Sequence, residues 1–271
     1  SNFFRCVCLL KLAKQNINYM PSTSETGHAK NVANFETLIS FCTGYGVTYN
    51  PSRDALKVTN LQTLLTAAKA AIADCKAKET AFDNATDSRK ESFATLKSLG
   101  TRIVNALSVS GVADSVVEGA RTINRKLQGQ RANGSATTET LATSETPSSP
   151  TTSTPPTASS SQQSYDNLVE HFNGLIELVS SHTEYNPNEI ELKVSTLQTY
   201  LTELRTANTN VQNANTDWSN SRISRDKTLY ADNTGLVDIA LDVKAYVKSV
   251  FNSTSPQYGQ ISGIEFKRAK A

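Results

Sequence analysis

The sequence predicts an all-α protein with two related antiparallel helical-bundle modules of long amphipathic helices, about three helices in each, which can pack together. Three observations predict this class. The chain repeats itself at a fixed offset, apolar residues recur at helical spacing in both copies, and only 12 of the 271 residues are glycine. The hydrophobic share of 38% is low, as expected for helices with narrow apolar stripes.

An internal repeat organises the chain. The stretch YNPSRDALKVTNLQTLLT from Tyr49 returns as YNPNEIELKVSTLQTYLT from Tyr185, and eleven of the eighteen positions are identical. The offset is 136 residues, and the match continues more weakly on both sides, with a one-residue slip towards the amino terminus. A repeat of this kind indicates one folding module encoded twice.

Composition divides the chain around the two copies. The predicted segments are an N-terminal lead-in, 1–30, the first helical-bundle repeat, 31–132, a linker, 133–164, the second helical-bundle repeat, 165–254, and an irregular C-terminal tail, 255–271. The linker is rich in Ser, Thr and Pro, with one Leu and no aromatic residue. It therefore cannot bury enough apolar surface to offset the entropy lost on ordering. Pro256, Gly259 and Gly263 predict the irregular tail.

Each copy carries a heptad stripe that predicts one long helix of about thirty residues. The stripe is Leu61, Leu65, Ala68, Ile72, Cys75, Glu79 and Phe82 in the first copy, and Leu197, Leu201, Leu204, Asn208, Val211, Asn215 and Trp218 in the second. The Asn-Pro step ahead of each stripe predicts the helix start, because Asn can cap free amides and Pro suits the first turn. Glu189 adds a capping box in the second copy.

Shorter apolar stripes predict one helix before and one after each long helix. They span 32–42 and 168–179 before it, and 93–107 and 229–250 after it. Long amphipathic helices with short connections pack as antiparallel bundles. The first copy adds a fourth predicted helix through Val116, Ala120, Ile123 and Leu127, and Gly235 is expected to break the last helix of the second copy.

The combination of YNP with LKVxxLQ, GLVDIALDVKAYVKSVF from Gly235 and SPQYGQISGI from Ser255 resembles a group of bacterial, Bacteroidetes-type tandem helical-repeat proteins. The resemblance covers nearly the whole chain from about Asn31 onward. It implies the tandem helical arrangement and no particular activity.

Charge and hydropathy argue against two function classes. A net charge of +2 is unlike a dedicated nucleic-acid binder, which carries a clear basic excess. No run of about 18 apolar residues predicts a membrane span, and Arg5, Lys11 and Lys14 interrupt the apolar N-terminal stretch where a signal peptide needs continuity. The expected compartment is the cytoplasm by default, with a surface or extracellular location left open by the linker composition.

Cysteine and histidine form no recognisable metal or redox motif. Cys75 aligns with Val211, and Cys42 with Leu178 or Val179, so both are expected to be small core hydrophobes. The remaining candidates are Cys6 and Cys8, which could crosslink chains, and His28, His171 and His182, for which a structural or surface role is favoured.

Seven polar residues are candidates for an interaction site: Asn208, Asn215, Arg89, Arg225, Arg121, Arg125 and Lys126. The asparagines lie on the apolar stripe, where a buried Asn can fix register or partner choice, unless the stripe faces solvent there. Arg89 and Arg225 can clamp a carboxylate or phosphate, although capping of a helix end or pairing with a neighbouring Asp such as Asp87 or Asp226 is favoured. The last three residues form a basic cluster with Arg131 that could touch nucleic acid or anionic lipid, but without interleaved aromatic residues a solvated helix face is favoured.

The sequence therefore predicts a non-enzymatic structural or protein-interaction scaffold that self-assembles, with a homo-oligomer or a protein as partner. No glycine-rich phosphate loop and no GxSxG motif is present, so no metal, cofactor or small-molecule substrate is expected. The alternative is a membrane-active, pore-forming-like helical protein whose amphipathic helices insert into lipid. An enzyme with a site in a groove between the bundles is less favoured still.

Overall fold

The computed structural model describes residues 23–130 and 163–268. Within these ranges it contains no β-strand, so the all-α prediction is confirmed. The helices are α1 (Thr23–Gly44), α2 (Val58–Phe93), α3 (Leu96–Ser108), α4 (Asp114–Gln128), α5 (Tyr165–Ser180), α6 (Val194–Tyr230), α7 (Leu236–Phe251) and α8 (Pro256–Ser262). Cys6, Cys8 and nearly all of the predicted linker lie outside the described residues.

The chain divides into two compact units, and each unit takes helices from both copies of the repeat. Unit 1 comprises residues up to Cys75 and from Arg222 onward, and unit 2 comprises Lys76–Ser221. In unit 1, α1 and the first half of α2 therefore fold with the end of α6, α7 and α8. In unit 2, α5 and most of α6 fold with the end of α2, α3 and α4. The copies thus exchange helices as the partners of a domain-swapped dimer do.

The core of unit 1 lies between α1, α2 and α7. Phe35 and Leu38 of α1, Leu61 of α2 and Val243 of α7 have no exposed surface. Burying a side chain of this size contributes about 1.5–3 kcal/mol. Since α1 and α2 come from the first copy and α7 from the second, the apolar faces of the two copies complete one another.

The core of unit 2 lies among α3, α4, α5 and α6. Leu127 of α4, Phe172 of α5 and Leu197 of α6 are fully buried in one cluster. Phe82 and Trp218, which occupy the same position in the two copies, stack with ring centroids 5.4 Å apart. Contact between equivalent residues is what a local two-fold relation between the copies produces.

The predicted starts of the two long helices are wrong. The Asn-Pro steps were expected to begin them, but α2 begins at Val58 and α6 at Val194, each seven residues after the corresponding Pro51 or Pro187. Between proline and helix, each copy forms only a short 3-10 turn, at Asp54–Leu56 and its counterpart at 190–192.

The repeated YNP stretch instead forms a turn that closes on a buried tyrosine. The Tyr49 hydroxyl donates to the Leu56 carbonyl at 2.7 Å, and the Tyr185 hydroxyl donates to the Leu192 carbonyl at 3.0 Å. Both tyrosines are buried, so the hydrogen bond satisfies a hydroxyl and a carbonyl that water cannot reach. Desolvation raises the pKa of Tyr185 to about 12.

Of the remaining predicted elements, two are confirmed and two are wrong. The fourth helix of the first copy is confirmed as α4, and Gly235 lies in the break between α6 and α7, where its amide donates to the Ala231 carbonyl at 2.7 Å. Where an irregular tail was expected, α8 forms, capped by the Ser255 side chain, which accepts from the Tyr258 amide at 3.1 Å. At the other end, α1 begins eight residues before the predicted boundary at Asn31.

Candidate functional site

Arg225 is a structural residue of unit 1. It is only 3% exposed, and its Nε and Nη2 atoms lie 3.0 and 2.9 Å from the Asp226 carboxylate. Its Nη1 atom donates to the Cys75 thiol at 3.4 Å. The predicted pairing of Arg225 with Asp226 is confirmed, and this burial leaves the guanidinium no access to an external anion.

Arg89, the counterpart of Arg225 in unit 2, lies against an aromatic ring. Its guanidinium carbon lies 4.1 Å from the centroid of the Tyr165 ring, a cation–π contact. The predicted pairing of Arg89 with Asp87 is wrong, because Asp87 binds Lys90 at 2.8 Å. The Nε atom of Arg89 is buried without a hydrogen-bond partner, so this side chain also packs inside the unit.

The two stripe asparagines have different environments. Asn208 is 6% exposed, and its amide donates to Asp166 in the first turn of α5 at 2.9 Å. Its carbonyl oxygen is buried without a partner, which costs about 1–3 kcal/mol. Asn215 is exposed, so the alternative that the stripe faces solvent applies there and not at Asn208.

The predicted basic cluster lies on the outer face of α4. Arg121 and Lys126 are exposed and Arg125 is half-buried, while Arg131 of the predicted cluster lies outside the described residues. Arg121 pairs with Glu118 at 2.5 Å, and the Arg125 guanidinium donates to the Thr122 hydroxyl at 2.7 Å. Cations in the last turns of a helix also interact favourably with its dipole.

Unit 2 has an open groove that the sequence did not single out. Three adjoining hollows of about 420, 520 and 560 Å³ make it up, and neighbouring hollows share Arg102, Thr199 and Glu203. One wall is α3 with the end of α2, and the other is α6 with the turn before it. We call this surface the unit 2 groove.

The α3 wall of the groove is one continuous helix face. Leu99, Arg102, Ala106 and Val109 recur at spacings of three and four, which places them on one side of α3. From Thr95 to Val109 this face is ~21 Å long, at 1.5 Å per residue. A groove of this length matches about four turns of a partner helix.

The centre of the groove combines an apolar floor with an unpaired carboxylate. Tyr200 is anchored there: its hydroxyl donates to the Ser92 carbonyl at 2.5 Å and lies 3.2 Å from the Thr95 hydroxyl. Burial raises the pKa of Tyr200, so this hydroxyl keeps its proton. Beside it, Glu203 is exposed and makes no ion pair with any residue of 23–130 or 163–268.

The groove carries a negative charge, whereas the whole chain carries a net charge of +2. Its charged residues are Glu184, Glu189, Glu191, Glu203 and Arg102. Four carboxylates against one guanidinium make 1 − 4 = −3. Arg102 is already paired with Glu191 at 2.6 Å, in a half-exposed contact worth at most about 1 kcal/mol. The groove therefore suits a basic partner.

Two exposed apolar side chains lie at one end of the groove. Val109 is 84% exposed at the end of α3, and Ile190 is 74% exposed in the turn before α6. Val109 lines the third hollow, and Ile190 lies between its lining residues Glu189 and Leu192. Apolar side chains beside complementary charge are the usual composition of a protein interface.

The matching surface of unit 1 has different chemistry. At an offset of 136, Glu203 and Glu191 of unit 2 correspond to alanines, and Glu189 corresponds to Arg53. Arg53 binds Asp242 of α7 at 2.5 Å and the Asn233 carbonyl at 3.1 Å. The fold repeats between the units, but the charges of the groove do not. Comparing the copies for differences rather than identities is the sequence signal that finds this site.

A buried polar cluster in unit 1 also escaped prediction. The His28 Nδ1 atom lies 2.5 Å from the Tyr230 hydroxyl, and the Asn31 amide donates to the Lys267 carbonyl at 2.7 Å. The Lys267 amide in turn donates to Asn31 Oδ1 at 3.0 Å. His28 and Asn31 are both buried. This cluster fixes the segment after α8 against α1, which is a structural role.

Other kinds of site find no support in the described ranges. No group of three or more His, Cys, Asp or Glu side chains there could hold a metal ion. None of the helices described is both long enough and apolar enough to cross a membrane. Cys42 and Cys75 are buried free thiols, and burial raises the pKa of Cys42 to about 11.

Comparisons of the chain with protein families, with curated proteins and with solved structures give no match. The resemblance to Bacteroidetes-type tandem repeats therefore stays a prediction. The unit 2 groove, with its charge and its exposed apolar rim, is the candidate functional site.

Proposed function

We propose that this chain is a non-enzymatic protein-interaction scaffold that assembles with further copies of itself, and that the unit 2 groove is its interaction surface. The observation that carries the proposal is the contrast between repeat-related surfaces. One is cross-linked by Arg53 and Asp242, and the other is open, acidic and bordered by Val109 and Ile190.

Three properties of the groove support a protein partner. Its length of ~21 Å along α3 matches a helix rather than a small molecule. Its hollows are open along their length and are lined by hydroxyl and carboxylate groups around an apolar floor. Its rim exposes Val109 and Ile190, side chains that gain free energy when a partner covers them.

The native assembly state tests the proposal. Mass photometry and light scattering after gel filtration, over a range of protein concentrations, should show oligomers whose population rises with concentration. A monomer at every concentration and at both low and high ionic strength contradicts the proposal.

A double substitution tests whether the groove is the surface used. Glu189→Arg with Ala106→Asp places in unit 2 the two residues that form the Arg53–Asp242 bridge in unit 1. This bridge should cross the groove and abolish assembly without loss of helical circular dichroism. Asp74→Arg with Ala73→Asp is the matched control, because it makes the same changes of charge at exposed positions of unit 1 and should leave assembly intact.

A further inference from the structure

The geometry points to the basic outer face of α4 as the group that the unit 2 groove binds, so that the α4 face of one copy docks in the groove of the next. We call residues Glu118–Lys126 of α4 the α4 face. This inference rests on the proposed function and names the two surfaces that meet.

The α4 face and the unit 2 groove carry opposite net charges. The α4 face carries Arg121, Arg125 and Lys126 against Glu118, a net charge of 3 − 1 = +2. The groove carries −3. Complementary charges of this size steer association and disfavour other orientations.

The α4 face is short enough to fit in the unit 2 groove. The α4 face spans eight residue steps, or ~12 Å, which fits within the ~21 Å wall of the groove. Arg121 and Arg125 are four residues apart and therefore lie side by side on the helix. Both belong to a helix held in place on its inner side, since Ala120 and Leu127 are fully buried. A partner therefore meets a basic surface that is already in position, which lowers the entropy lost on binding.

The unit 2 groove and α4 lie on different sides of α3. On α3, the groove face contains Leu99, Arg102 and Ala106. Lys97 and Gly100 face α4 instead. The Gln128 side chain of α4 donates to the Lys97 carbonyl, and a side chain at Gly100 would contact Leu127 of α4. At 100° per residue these two sets lie about 180° apart on α3. The groove and α4 are therefore on opposite sides of that helix.

Opposite placement determines the kind of assembly. One copy cannot fill its own groove with its own α4, and a contact between two copies leaves one groove and one α4 face unoccupied. Such a head-to-tail contact adds further copies, which gives a ring if the rotation closes and a filament if it does not. The contact also depends on salt, because the screening length falls from about 10 Å at 0.1 M to about 3 Å at 1 M.

Two charge reversals test the contact. Glu203→Lys changes the exposed carboxylate at the centre of the groove, and Arg125→Glu changes the α4 face. Each should weaken self-association at least tenfold by mass photometry or sedimentation. The matched controls are Asp74→Lys and Lys30→Glu, which change charge by the same amounts at exposed positions of unit 1 and should leave association unchanged.

Mixing the two variants gives the decisive result. In the mixture, the unchanged α4 face of Glu203→Lys meets the unchanged groove of Arg125→Glu, and the two reversed surfaces complement one another. Oligomers should therefore reappear at a protein concentration at which each variant alone is monomeric. Circular dichroism of each variant first establishes that it is folded.

The failures are distinguishable. A wild-type chain that never associates overturns the proposed function and this inference together. Association that survives both reversals overturns the inference and the assignment of the groove as the interaction surface, but not self-assembly itself. Loss of association in Glu203→Lys but not in Arg125→Glu means that a different basic surface occupies the groove, and it overturns the assignment to α4. Mixed variants that stay monomeric overturn it as well.

Discussion

Unit 1 and unit 2 follow the same plan with helices drawn from both copies, yet they complete their surfaces differently. In unit 1, Arg53 and Asp242 bridge the surface beside α7, and Arg268 pairs with Asp238. In unit 2, the corresponding surface stays open and acidic, and a full helix, α4, takes the place where unit 1 has the short α8 and the segment after it. The comparison teaches that duplication preserved the core and left the surfaces free to diverge.

The largest effect is expected from the cores that the two units share. Phe35 in α1 and Phe172 in α5 are repeat equivalents, and both are fully buried. Phe35→Ala and Phe172→Ala should each destabilise the protein by about 3–5 kcal/mol, because the transfer free energy is lost and a cavity remains. Denaturant unfolding measures this loss.

Hydrogen exchange extends this test to the comparison itself. Protection should fall in the unit that carries each substitution, and the two variants should lose similar amounts. If one of the two substitutions lowers the free energy of unfolding by less than about 1 kcal/mol, the two cores are not equivalent, which contradicts the shared plan of the two units.

The second test concerns the close packing of α4 on α3. A side chain added at Gly100 would come within 2.6 Å of Leu127 and 2.8 Å of Asn124, whereas the equivalent position in unit 1 is Leu236. Gly100→Leu, which copies unit 1, should destabilise by about 1–3 kcal/mol through overpacking. Gly174→Leu is the matched control, because a side chain there meets nothing within 4 Å. A Gly100→Leu variant as stable as wild type would show that unit 2 does not need this close approach.

The helices were predictable because apolar spacing is local information. The stripes through Phe35, Leu61 and Leu197 each indicate an apolar face, and these three residues are fully buried. The exchange between copies was not predictable, since equivalent stripes fit a partner from either copy equally well. The YNP stretch led to a wrong prediction of the helix start, because Pro occurs both in the first turn of a helix and in turns. Only the structure shows that the tyrosine hydroxyl binds the carbonyl seven residues later and so closes a turn.

The candidate site was less predictable than the fold. Glu203 and Tyr200 belong to no motif, and the heptad pattern does not show that the groove wall they form stays uncovered. The pattern also does not distinguish Asn208, which is buried, from Asn215, which is exposed. Burial of a stripe position depends on where its partner helix ends. That end point depends on contacts between residues far apart in the chain, which periodicity does not encode.

The third test replaces the polar residue that interrupts the unit 2 stripe. Asn208 corresponds to Ile72 in the first copy, and its carbonyl oxygen is buried without a partner. Asn208→Ile should stabilise the protein by about 1–2 kcal/mol, because it removes an unsatisfied acceptor and adds apolar contact. Asp166, which loses one hydrogen bond, is exposed and can bind water instead.

Thermal and denaturant unfolding measure this gain. Asn215→Ile is the matched control, because Asn215 is exposed on the same helix and its replacement should change stability by less than about 0.5 kcal/mol. A loss of stability in Asn208→Ile would mean that its bond to Asp166 outweighs the unsatisfied oxygen.

The smallest effect is a pH dependence of unit 2. Burial, and the nearby Lys126, lower the pKa of His171 below its usual value near 6.5, and its Nε2 atom is buried without a partner. The unfolded chain then binds more protons than the native state as pH falls through about 6.5, so stability is lost as the pH drops through that value. Glu170, the other charged neighbour, opposes the shift and does not reverse it.

The equivalent residue in unit 1 is Asn34, which does not titrate and donates to the Glu265 carbonyl at 2.7 Å. Lowering the pH from 7.5 to 5.5 should therefore reduce hydrogen-exchange protection in α5 of the wild-type chain, and His171→Leu should remove this loss. The comparison is made on α5 of the two chains, because α1 carries the buried His28. Lys126→Ala removes the repulsive charge and should shrink the difference without abolishing it, since burial is the larger cause. Equal responses of α5 in the wild-type and His171→Leu chains would show that His171 is protonated as easily in the folded state as in the unfolded one.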